Sequence, residues 1–237
     1  MGIGALVLAA VLGTIRFFWY PGFYFEVQDA GRTLPVLAVV CLVFGPLLTL
    51  LVFKPGKQGL RFDLTVIALL QIGALAFGLH RLYAERPYFM VYAVDRFFVV
   101  SPREVDVGAA KAAGFTKRSL IGPGLAVARV PADPAARSRL TREVLMEGKP
   151  DIEHRPEFWT RYDAAIDDIR NVAPALSLLR ERRPDLAGAI DRLVEDSGAP
   201  LTELLFVSAL GPTIEYAVVV RKSDGFIEGA VGLDDRN

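Results

Sequence analysis

Apolar and polar positions divide this chain into two unlike parts. Gly2 to Tyr20 carries one charge, Arg16. Leu34 to Phe53 carries none in 20 residues. Leu64 to Leu79 carries none either, and Thr65 and Gln71 are its polar side chains. A membrane-crossing helix needs about 20 mostly apolar residues, so the pattern predicts three transmembrane helices at about 2–20, 34–53 and 62–83. In the first, Arg16 would reach outward to the headgroups, and Phe17 to Tyr20 would form an interfacial aromatic belt. A signal peptide competes for this stretch. It would want early basic residues and a small-x-small cleavage site, but no Lys or Arg precedes Arg16 and the run ends in bulky aromatics. That missing basic flank also points to a true start upstream of Met1. Gly45-Pro46 should bend the second helix. Gln71, Gly73 and Gly78 mark a helix–helix face on the third.

From Tyr88 the pattern is that of a globular domain. Tyr88 to Val99 is apolar on both alternating faces and reads as a strand buried on two sides, broken only by Asp95 and Arg96. Pro102 opens a short helix to about 113, ahead of Gly114. The Gly122-Pro123-Gly124 turn leads into a strand from Leu125 to Val130. Asp133-Pro134 caps a helix of about 134–147 that stops at Gly148. Pro156 opens a further helical stretch, with Phe158, Tyr162, Ala165, Ile166, Ile169 and Val172 on one face. Leu176 and Leu179 follow the break at Pro174, and a helix from Pro184 ends at Ser197-Gly198. The chain closes with Glu203–Leu210 and then two runs, Thr213–Arg221 and Phe226–Leu233. These two form a hairpin turned at 223–225 by Ser-Asp-Gly. The expected fold class is α+β. Three transmembrane helices (residues 1–83) precede a mixed, mainly antiparallel sheet domain with helices on one face (residues 84–237).

Charge fixes an expected orientation. The segment Pro21–Thr33 holds Arg32 as its one base, while Lys54 to Arg61 holds three. Basic loops stay cytoplasmic, so three crossings would put residues after 83 in the periplasm. The mean hydropathy of +0.35 comes from the first 83 residues, which hold three acids and six bases. The remainder carries 24 acids and 21 bases, a net of −3 (21 − 24), which excludes a basic nucleic-acid binder. Cys41 is the sole cysteine, so an intrachain disulfide and a four-cysteine zinc site are both ruled out.

The search for chemistry finds little. His80 and His154 are the only histidines, and nothing in the sequence brings them together. Asp167 and Asp168 point apart on a helix. Gly122-Pro123-Gly124 lacks the rest of a dinucleotide fingerprint, and Lys54-Pro55-Gly56-Lys57 lacks the spacing of a phosphate loop. The reading is of a non-enzyme with no cofactor or metal. A membrane-anchored periplasmic hydrolase is the alternative, and it requires a cleft with convergent polar groups. A transporter subunit ranks last, because the second and third apolar stretches hold no ionisable residue.

Three motifs resemble the type IV pilin accessory protein family (TfpX/TfpZ). They are Phe18-Trp19-Tyr20-Pro21-Gly22, Phe44-Gly45-Pro46-Leu47-Leu48-Thr49-Leu50, and Phe53-Lys54-Pro55-Gly56-Lys57-Gln58-Gly59-Leu60-Arg61 running into Gln71. The strand motif Asp95-Arg96-Phe97 also fits. The resemblance spans about residues 17–100. It implies a multi-pass protein of the bacterial inner membrane, in contact with the lipid bilayer, that assists pilus assembly by acting on the major pilin. The inner-membrane assembly machinery is a further expected partner. The family brings no established functional residues. The motif positions Trp19, Tyr20, Pro21, Gly45, Pro46, Lys54, Pro55, Gly56, Lys57, Gln71, Asp95 and Arg96 therefore stand as the candidate partner-binding set.

Overall fold

The computed structural model describes residues 9–28, 31, 34–35, 39, 47, 50–51, 59–116, 122–210 and 214–233. Its first helix, α1 (Ala9–Trp19), is apolar and ends in a π-helical turn over Ile15–Trp19. The chain bends at Gly22 and makes one helical turn, α2 (Tyr24–Val27). The long helix α3 (Leu60–Ala84) follows. At 25 residues and about 1.5 Å per residue it is roughly 37 Å long, enough to cross a hydrocarbon core of about 30 Å.

This corrects the expected membrane layout. Among the described residues α3 is the one helix long and apolar enough to span a bilayer, where the hydropathy pattern predicts three. The described part of the first segment falls short of that length. Its C-terminal end also turns inward, with Ile15 and Tyr20 buried against Leu82 of α3. An apolar run serves equally to cross lipid or to pack on a neighbour, and periodicity does not separate the two. Of the predicted 34–53 helix, only positions 34, 35, 39, 47, 50 and 51 belong to the described residues.

Beyond α3 the chain builds one seven-stranded sheet. In chain order the elements are β1 (Phe89–Ala93), β2 (Arg96–Val100), α4 (Val107–Ala112), β3 (Gly124–Ala128) and α5 (Pro134–Glu147). Then come β4 (Trp159–Arg161), α6 (Ile166–Val172), α7 (Leu176–Arg182), α8 (Ala187–Ser197), β5 (Leu204–Leu210), β6 (Glu215–Arg221) and β7 (Ile227–Gly232). The spatial order is β4-β3-β1-β2-β5-β6-β7. The pairs β1·β3 and β2·β5 are parallel and the other four antiparallel. Side-chain caps start α4 and α5. The carboxylate of Asp106 accepts from the Ala109 N–H at 2.9 Å, and that of Asp133 from the Ala136 N–H at 2.8 Å. Gly148, at φ +66, ends α5 where the sequence places its stop.

Both faces of the sheet are covered, which corrects the expectation of helices on one face. All five residues of β1 are buried, so something must lie on each side. On one face Phe89, Val91, Ala126 and Ala128 lie under Ala110 of α4, Leu140 of α5 and Ile152. On the same face Leu204, Ala217 and Val219 lie under α7 and α8 through Leu176, Leu179 and Ile190. The opposite face carries Met90, Tyr92, Phe97, Val207, Ala209, Val218 and Val220. It is closed by Ala165, Ile169 and Tyr162, and by Phe23, Tyr24 and Val27 from the segment after α1.

Two elements differ from their sequence reading. The run 88–99 is a hairpin, not one strand, because Val94 takes a left-handed turn at φ +59. The helical stretch from Pro156 is interrupted by β4, which pairs Trp159 with Ala128 and Arg161 with Ala126. Tertiary packing decides this. The Trp159 indole meets Phe89 and Phe115 edge-on, with centroids at 5.0 and 5.5 Å, and its N–H donates to the Ile152 carbonyl at 3.0 Å.

Candidate functional site

The residues that join the apolar helices to the sheet form a polar–apolar junction held by buried side-chain contacts. Tyr20 follows α1 and is 2% exposed. Its hydroxyl donates to the Leu82 carbonyl at 2.8 Å, one of the last carbonyls of α3, which lacks a following helical N–H. The ends of α1 and α3 therefore meet at one level. Trp19 packs edge-on to Tyr83, with ring centroids 5.1 Å apart.

From Pro21 the chain runs onto the sheet as a strap. Val27 is 1% exposed, and Phe23 and Tyr24 stack at 4.1 Å. The Tyr24 hydroxyl points to the Met90 sulfur at 3.3 Å, and burial raises its pKa above the ordinary tyrosine value. The Gln28 amide donates to the Val99 carbonyl at 3.2 Å. From β6, the Tyr216 hydroxyl donates to the Glu26 carbonyl at 2.9 Å. These contacts link residues 66 to 190 positions apart, so the strap is part of the sheet's core and not a loose loop between helices.

Helix α3 shows two faces although it is apolar all round. Ile67 and Leu82 are buried, and Gln71, Ala74, Gly78 and Leu79 are half-buried on the same stripe. Their spacing of three and four residues follows one side of the helix. Away from this stripe Phe62, Leu69, Leu70, Ile72 and Phe77 are exposed. Such a surface suits lipid or another apolar helix. The packed stripe takes in Gln71 and Gly78, as the sequence reading has it. Gly73 lies on the bare side, and a methyl there would meet nothing within 4 Å.

Asp95 and Arg96 sit elsewhere. Asp95 lies in the β1–β2 turn and Arg96 opens β2, at the end of β1 away from α3, roughly 16 Å along the strand from Phe89. The Arg96 Nε donates to Asp95 at 2.9 Å, and this hydrogen bond holds the Asp95 carboxyl below its ordinary pKa. Beside them Val94 is 73% exposed and left-handed, a backbone state that β-branched residues rarely adopt.

A cleft of about 530 Å³ opens between the end of α4 and the start of β3, lined by Phe89, Phe115, Pro123, Leu125, Arg161 and Asp163 among others. Its charged groups satisfy each other, Arg161 to Asp163 at 2.7 Å. The hydroxyl of Tyr162 donates away from it to the Gly225 carbonyl at 2.9 Å. Among the described residues no three His, Cys, Asp or Glu side chains gather where a metal could bind.

The structure therefore brings Trp19, Tyr20 and Pro21 to the foot of the sheet, with Gln71 on the packed stripe of α3. It leaves Asp95 and Arg96 at the far tip. Gly45, Pro46, Lys54, Pro55, Gly56 and Lys57 lie outside the described residues. The sequence reading missed Tyr24, Val27, Gln28 and Tyr216. A signal was present in the aromatic density of Phe23-Tyr24-Phe25, which is unusual for a short solvated loop.

Comparison with known proteins gives a consistent set. The chain is 27% identical over 178 residues to a fimbrial assembly protein of serogroup I from Dichelobacter nodosus, covering 73% of this chain and 68% of that protein. Against the serogroup E1 protein of the same organism it is 26% identical over 176 residues, with the same coverage of each. A fimbrial assembly protein of serogroups C1 and C2 is 28% identical over 104 residues, 43% of this chain and 79% of that one. No family model and no solved structure matches the chain.

Proposed function

We propose that this chain is an accessory factor of type IV pilus assembly that acts on the pilin subunit as a chaperone-like partner. The observation that carries this is the similarity, over nearly three quarters of the chain, to proteins named for fimbrial assembly. The resemblance of its motifs to the TfpX/TfpZ family supports the narrower reading as a pilin accessory protein. The protein sits in the bacterial inner membrane through α3, with its sheet domain on the periplasmic side. Its work is positional and not catalytic. A pilin awaiting assembly presents an apolar helix in the bilayer and a folded head outside it. The bare side of α3 offers the first a surface, and the strap-braced sheet domain offers the second one. The inner-membrane assembly machinery is a further partner in this reading.

The test is genetic and quantitative. The gene is deleted in a strain whose pilin and pilus machinery are intact, and surface pili are counted by electron microscopy alongside total pilin by immunoblot. Surface pili should fall, and the wild-type gene in trans should restore them. Unchanged piliation would end this reading.

A further inference from the structure

We propose that the collar of arginines and aromatic rings around the sheet end of α3 binds the phosphate headgroup of an anionic phospholipid of the phosphatidylglycerol type. The proposal rests on the reading of α3 as a membrane span. At the foot of the sheet, Arg81 and Arg103 gather around the Glu85 carboxylate, with Arg86 next to it in the chain and Glu104 next to Arg103. Glu104 is committed to the Ser101 N–H at 2.8 Å. Glu85 pairs with Arg81, and Arg103 stands at 3.8 Å from it. The rim keeps an excess of positive charge.

Arg86 is the centre of the collar. Its guanidinium lies 3.7 Å over the Tyr83 ring and 5.2 Å from the Tyr88 ring, and it donates to the Tyr83 carbonyl. Among the described residues no carboxylate pairs with it. Two rings therefore hold a planar cation in place with part of its donor fork unused, the form in which arginine recognises phosphate. Trp19 packs on Tyr83, and Phe17 and Phe18, just before Trp19 in the chain, are exposed. Tryptophan, tyrosine and arginine at a helix end are the residues that settle at headgroup depth. The continuity of this rim with the bare apolar side of α3 selects a lipid, whose acyl chains that side can line, over a free anion.

The experiment uses the full chain in detergent micelles, exchanged with equal amounts of phosphatidylglycerol and phosphatidylcholine, and native mass spectrometry counts the lipids retained. Wild type should retain phosphatidylglycerol preferentially. A juxtamembrane arginine is worth about fivefold near an anionic surface, so Arg86→Ala should cut the preference about fivefold and Arg86→Ala with Arg103→Ala further. Arg103→Glu, at an exposed position, tests the same charge should the double variant fail to fold. Arg139→Ala with Arg142→Ala, on the outer face of α5, should leave the preference intact. Equal retention of the two lipids by wild type overturns the proposal, and so does full selectivity in the Arg86 and Arg103 variants. Loss of selectivity in the α5 variant reassigns the effect to overall charge and overturns it too. Displacement of the phosphatidylglycerol by excess inorganic phosphate marks a free-anion site, again against the proposal. The same preparation is also offered lipid nanodiscs, and failure of wild type to enter them overturns the span itself. The pilin reading is decided separately by the piliation count.

Discussion

Two single residues carry unusual physics. Val94 holds a left-handed backbone at φ +59 with a β-branched side chain that is 73% exposed. That conformation costs an L-residue about 1–2 kcal/mol, and its side chain recovers little by burial. Val94→Gly should stabilise the protein by about 0.5–1 kcal/mol, the relief offset in part by glycine's greater chain entropy. Thermal unfolding of the two proteins checks it, and a lowered midpoint would show that the turn is not strained. His154 is the second. Its Nδ1 lies 3.2 Å from Glu153, and this hydrogen bond raises the imidazole pKa above its ordinary value. A raised folded pKa gives stability that is complete below the unfolded value of about 6.5 and lost as pH rises through the folded one. His154→Gln should therefore cost a few tenths to about 1 kcal/mol at pH 5.5 and almost nothing at pH 9. Denaturant midpoints at the two pH values decide, and an equal cost at both would remove the ion pair from the account.

At the scale of elements the strap is the least expected part. Val27 fills the core and Tyr216 ties the Glu26 carbonyl to β6. Val27→Ala should cost about 2 kcal/mol from the lost methyl burial, and Tyr216→Phe about 1 kcal/mol from the lost hydrogen bond. Both should hasten amide exchange over residues 23–28 well before β6 responds, because the strap is the outermost layer of that face. Unaltered exchange there would mean that the strap is held by α1 alone. Elements with local signals were legible in the sequence. The Asp133-Pro134 start and Gly148 stop of α5 are written in adjacent residues, and so is the Asp224-Gly225 turn of the last hairpin, where Gly225 at φ +71 leaves room for Ile166. The β1–β2 turn was not legible, since it has valine where turn chemistry would place glycine or asparagine. Nor was β4, whose three residues are a strand only because β3 lies beside them. The strap failed to show for the same reason. Its partners are 60 and more residues away, and the surrounding apolar runs pointed to lipid. Of the candidate set, Tyr20 carries an aromatic-belt signal yet is buried with its hydroxyl on the Leu82 carbonyl, and Leu82 itself is one leucine among many.

For the molecule as a whole, the decisive question is how one apolar helix and one sheet domain share the chain. Helix α3 is bare over most of its surface, and a water-exposed array of Phe62, Leu69, Leu70, Ile72 and Phe77 far exceeds the apolar patch of an ordinary soluble protein. Its polar ends, Asp63 and Arg81, bracket an interior without charge. Ile72 lies near the centre and points away from the packed stripe of Ile67, Gln71 and Leu82. Placing arginine there leaves the sheet domain and the strap untouched, and costs about 2.5–3.5 kcal/mol if the position lies mid-bilayer. Ile72→Arg should accordingly shift a large share of the protein from the alkaline-carbonate-resistant membrane pellet to the supernatant, while Gln71→Leu stays in the pellet. If Ile72→Arg pellets as wild type does, α3 is covered by protein at that face and not by lipid, and the bare stripe becomes the contact surface of a partner helix. The size of the shift thus measures how much of α3 the bilayer holds and how much remains for a protein partner.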